Sequence, residues 1–130
     1  MLFRRKKRAA FDAAPLIAAV DRAIELLKRV GERIVINEHD APAILEERCR
    51  ASACAGDCIA TLEQCRHELS VTLSCRASER AAQGQRLLGE KLDEILECIR
   101  SVSVYYGLLE RSVYPRVKQL LAMIRDLDTV

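Results

Sequence analysis

Residues 88–113, LGEKLDEILECIRSVSVYYGLLERSV, place apolar side chains at alternating steps of four and three: Leu88, Leu92, Ile95, Ile99, Val102, Tyr106, Leu109 and Val113. On an α-helix this spacing gathers all eight on one seam, the pattern of a coiled coil or of a long bundle helix. Leu96, Cys98 and Tyr105 widen the seam on both flanks. A stripe wider than the a and d positions implies more than one packing neighbour, which favours a three- or four-helix bundle over an isolated two-stranded coil.

Towards the N-terminus a weaker stripe runs through Ile44, Ala51, Ala55, Cys58, Leu62, Cys65 and Leu69 and is expected to continue to about Ala81. Gly56 and Asp57 weaken helix there, so the stripe reads as one helix or two. Gln83-Gly84-Gln85 offers the turn between the two stripes, which would make them an antiparallel hairpin. Further back, Asp12 and Pro15 mark a helix start, and Leu16, Val20, Ile24 and Leu27, flanked by Ile17 and Val30, form an amphipathic helix ending at Gly31. Residues 33–36 read as an extended piece or as continued helix, and Asp40 is placed to cap the next helix, with Pro42 in its first turn. Beyond the seam, Pro115 removes a backbone donor and forces a kink or a restart. Val117, Leu120, Leu121, Ile124 and Leu127 then resume at helical spacing, with Val117, Leu121 and Ile124 displaced by one residue from the earlier register.

Composition agrees with this pattern. Half of the 130 residues are hydrophobic, yet there are two Phe, three Tyr and no Trp, so the core must be aliphatic; three Pro and five Gly leave few turns. The fold class that follows is all-α: an elongated antiparallel helical hairpin within a three- or four-helix bundle, with a coiled-coil-like seam. The net charge of +2 hides an asymmetry, because Arg4, Arg5, Lys6, Lys7 and Arg8 are consecutive while the remaining chain carries 16 basic and 19 acidic side chains. Residues 1–10 are read as a basic disordered tail able to contact an anionic membrane or another polyanion, and residues 11–130 as a single helical bundle domain. Nucleic acid ranks behind a membrane because aromatic residues do not interleave with the basic ones. The segment 13–20 is too short and too interrupted for a secretory signal, and no stretch approaches the ~20 apolar residues of a membrane span. The expected location is cytoplasmic, or peripheral to a membrane.

Six cysteines stand out: Cys49, Cys54, Cys58, Cys65, Cys75 and Cys98. Cys54, Cys58 and Cys65 fall within about 40° of one another on a helix, and their first reading is as small buried hydrophobes. Cys54 and Cys58 also form C-x3-C, a spacing at which two thiolates share a soft ion such as Zn²⁺ or Cu(I), with Cys65 or Cys98 as candidates to complete the shell. Cys65 lies roughly 10 Å along the helix, and disulfides suit a secreted chain rather than a reducing compartment. His39 and His67 read as surface residues. Phosphate loops, G-x-S-x-G and H-E-x-x-H are absent, so no catalytic residue and no cofactor is expected. The functional expectation is a non-enzymatic protein–protein interaction module, a homo-oligomer or a subunit or adaptor of a larger assembly. The alternative is a thiolate metal-binding (Zn or Cu) or redox bundle.

Overall fold

The computed structural model describes residues 12–71, 79–102 and 106–128, and there the chain is an all-α bundle. Helix α1 spans Ala14–Arg33, α2 Pro42–Val71 and α3 Glu79–Ser101; a short turn α4, Tyr106–Leu108, leads through a π-helical turn, Leu109–Val113, into α5, Tyr114–Asp128. The start of α1 is as the sequence dictates: Asp12 Oδ1 accepts the Ala14 N–H at 3.0 Å, and Pro15 occupies the first turn, where a missing donor costs nothing. Helix α2 runs unbroken through Gly56 and Asp57 to Val71; residues 72–78 of the expected stripe lie outside the described residues, and Ala81 belongs to α3.

Cross-helix contacts fix the arrangement. Arg66 pairs with Asp21 and Arg48 reaches the Val35 carbonyl, so α1 and α2 are antiparallel. Glu94 faces Arg116, Lys91 donates to Gln119, and Gly84 abuts Leu127, so α3 and α5 are antiparallel too. Arg125 meets Glu68 at one end while Gly107 and Glu110 flank the N-terminal half of α2 at the other, which makes α2 parallel to α5. It follows that α1 and α3 are parallel. Around the bundle the order is α1, α2, α5, α3, and among the described residues the diagonal pairs α1–α5 and α2–α3 make no close backbone contact.

Two expectations are corrected by this order. Gly84 lies inside α3 rather than in a turn, and α2 and α3, although antiparallel, oppose each other across the core instead of pairing as neighbours. The side-by-side hairpin is made by α3 and α5, so the seam expected as one helix over 88–113 is folded in two. Ser101, Val102, Ser103 and Val104, followed by Gly107, are weak helix formers, and that local weakness sits where the chain turns back. Both halves of the seam still face the core: Leu88, Leu92, Ile95, Ile99, Val102, Leu109 and Val113 are all buried. The side chains of Tyr105 and Tyr106 lie outside the described part.

The π-helical turn explains the register shift before Pro115. Proline has no N–H to give to the carbonyl four residues back, and the Tyr114 N–H bonds the Leu109 carbonyl, five residues back. Arg116 Nη1 donates to the Ser112 carbonyl at 2.8 Å. Past the wider turn Val117 and Ile124 are buried one position beyond the earlier register and Leu120 is buried in it, while Leu121 and Leu127 are partly buried.

Candidate functional site

Three of the cysteines are core residues. Cys54, Cys58 and Cys65 are buried on the face of α2, in line with Ala51, Ala55, Leu62 and Leu69. The Cys54 and Cys58 side chains lie one helical turn apart on this face. Burial pushes all three thiols up from 9.0; the proximity of Cys54 adds to the effect at Cys58, and Cys65 reaches about 12 with Glu68 reinforcing burial and Arg125 opposing it. They are therefore protonated and shielded near neutral pH, the reverse of an activated nucleophile.

The rest of the candidate shell does not assemble around the Cys54–Cys58 pair. Cys65 is two turns away, and Cys98, half-buried, sits on α3 across the diagonal. Cys49 is exposed, and Cys75 lies outside the described residues, as do the basic residues 4–8. Among the described residues no group of three or more His, Cys, Asp or Glu side chains is placed to hold a metal ion. His39 and His67 are exposed. Nor do the described helices include one long and apolar enough to cross a membrane.

A different feature stands out at the end of the bundle where α1 passes into α2. The Ile34 N–H donates to the Gly31 carbonyl and its side chain is buried, closing α1 against the core. The next two residues turn outward: Val35 is 64% and Ile36 48% exposed, and Ile44, in the first turn of α2, is 44% exposed. Ile44 thus leaves the core stripe to which its spacing assigns it. Arg48, one turn further along α2, ties the segment down, donating to the Val35 carbonyl at 3.0 Å and to Asp40 Oδ2 at 2.7 Å. Asp40 is consequently an ion-pair partner rather than a helix cap. The run Arg33-Ile-Val-Ile36 before Asn37 carries a signal for this tip, namely large β-branched residues crowded into a connection. Its direction, one residue in and two out, depends on the ion pair made thirteen residues downstream. Compared with known proteins, the chain matches no family model, no curated protein and no solved structure.

Proposed function

We propose that this chain is a non-enzymatic helical module that binds protein, either another copy of itself or a further subunit of an assembly. The observation that carries the reading is the apolar tip of Val35, Ile36 and Ile44, held by Arg48 and Asp40. Exposed apolar groups gathered at one place mark association surfaces, and a segment already pinned in position loses less conformational entropy on binding. The test combines Val35→Ser with Ile36→Asp and, separately, a photo-crosslinking residue at position 36 with one at Glu97 as the polar control. The expected outcome is an unchanged melting temperature together with loss of self-association in sedimentation, or a crosslinked protein specific to position 36. A monomeric parent chain with identical crosslinking at both positions rejects the proposal.

A thiolate site is the second reading, favoured by the placement of Cys54 and Cys58 one helical turn apart on the buried face of α2. Two adjacent soft donors suit Cu(I) better than Zn²⁺, which takes four ligands in its structural sites. Anaerobic Cu(I) titration of the parent and of Cys54→Ser with Cys58→Ser tests it. One tightly bound equivalent lost in the variant supports the reading, and equal weak binding by both rejects it.

A further inference from the structure

The groove between α3 and α5 is lined by Gln83, Gly84, Leu87, Leu88, Met123 and Leu127, with Asp126 at its rim. Its floor is apolar and its wall unfinished, since Leu87 is half exposed while Met123 and Leu127 are partly buried. Gly84 lets Leu127 pack directly against α3 at the groove's edge: a methyl group at that position would come within 2.5 Å of Leu127 Cδ2. The volume of about 240 Å³ falls below the roughly 300–1,000 Å³ of small-molecule sites, and suits one or two anchoring side chains.

We propose that residues 2–8 of this same chain dock on its own bundle, with Leu2 and Phe3 in the groove and Arg4, Arg5, Lys6, Lys7 and Arg8 across the outer face of α3. This inference does not depend on the apolar tip. Position comes first. Helix α1 begins where α2 ends, because the two are antiparallel, and α2 ends beside the end of α5, where Arg125 meets Glu68. The groove, marked by Gly84 and Leu127, lies at that same end. Reach comes second. Phe3 and Asp12 are nine Cα-to-Cα steps apart and so at most about 30 Å, whereas stepping from α1 over the face of α3 takes about 20 Å at usual helix diameters and spacings.

Charge is the third argument. The outer face of α3 carries four exposed carboxylates, Glu90, Asp93, Glu94 and Glu97, against Arg86 and Arg100. Glu94 and Glu97 are engaged by Lys91, Arg116 and Arg100, while Glu90 and Asp93 hold no ion pair among the described residues. Cations laid across this face come within reach of Glu90 and Asp93. Docked in this way, the basic run is withheld from external polyanions until the apolar anchor is released.

The absence of Trp from the chain supplies the test, since Phe3→Trp in the full chain introduces a single indole, which can be excited selectively over the three tyrosines. The expected result is blue-shifted emission and several-fold weaker acrylamide quenching than for a free indole, both independent of protein concentration. Adding Leu87→Glu, at a half-exposed position, restores full quenching and strengthens binding to vesicles containing phosphatidylserine; Leu2→Ser, outside the bundle, restores quenching in the same way. Glu90→Lys with Asp93→Lys weakens the protection, as does added salt. The proposal is overturned if the indole is fully quenched in the parent, or if protection survives both Leu87→Glu and Leu2→Ser. It is equally overturned if protection grows with protein concentration, which seats the segment on a second copy, or arises only with vesicles, which makes it a membrane contact.

Discussion

Helices α2 and α3 oppose each other across one core, yet they fill it with different materials. The α2 face offers Ala51, Cys54, Ala55, Cys58, Leu62, Cys65 and Leu69, five small side chains and two large ones. The α3 face offers Leu88, Leu92, Ile95, Leu96, Ile99 and Val102, all branched aliphatics. Small groups opposite large ones fill the space between helices without voids, in the manner of a jigsaw. The cysteines on α2 are thereby accounted for as packing elements of about the right volume, whatever else their thiols bind. The α3 face buries more large side chains than the α2 face, so equal changes on the two faces should have unequal costs.

Ile99→Asp should have the largest effect, because it leaves an unpaired charge in the centre of the α3 face, at a cost of several kcal/mol. Calorimetry should show loss of a cooperative melting transition; an unchanged melt would mean that this face is not core. Leu92→Ala should cost about 2–5 kcal/mol in urea unfolding, the usual range for a cavity in a closed core. Cys58→Ala removes one sulfur and should cost about 1 kcal/mol on the same scale. If the two substitutions proved equal, the asymmetry between the faces would be cosmetic.

The thiols also make the α2 face sensitive to alkali. Below pH 9.0 the folded and unfolded chains both hold the Cys58 and Cys65 protons, and stability is full. Above it only the unfolded chain releases them, so stability falls as pH rises, by about 1.4 kcal/mol per thiol at pH 10, until Cys65 itself ionises at about 12. Urea midpoints at pH 8, 9 and 10 should therefore decline, and the decline should be shallower in Cys58→Ala with Cys65→Ala. An equal slope in the two proteins would place the alkaline sensitivity elsewhere. The smallest effect is expected at Gly56, where an added methyl meets nothing within 4 Å. Gly56→Ala in the middle of α2 should raise stability by about 0.5–1 kcal/mol, measured by thermal melting. A loss would show that the outer side of α2 is covered by something that the bare bundle does not contain.

Much of this was legible beforehand in particular residues. Leu16, Val20, Ile24, Leu27 and Val30 are buried at the spacing that predicts them, and the kink or restart expected at Pro115 falls where the structure has a π-helical turn. Ile44 and Asp40 were misplaced by the same local logic. A residue in periodic register at a helix end is exposed when nothing packs over that end, and a carboxylate with a capping position available is diverted when an arginine arrives from the next turns. The candidate tip and the candidate thiol pair differ in the same way. C-x3-C is a local spacing that sequence displays, whereas the outward turn of Val35 and Ile36 depends on Arg48.

By itself, then, the sequence determined that this chain is helical, which side of each helix is apolar, and where the helical register slips, because these follow from spacing and from backbone chemistry within a few residues. Tertiary structure alone decided that α3 pairs with α5, that α2 faces α3 across the diagonal, and that the long seam folds back on itself between Ser101 and Tyr106. The physical reason is that burial of apolar area carries no direction. An apolar stripe specifies that a face must be covered and leaves open which helix covers it, and that choice is made only when all four faces share one core.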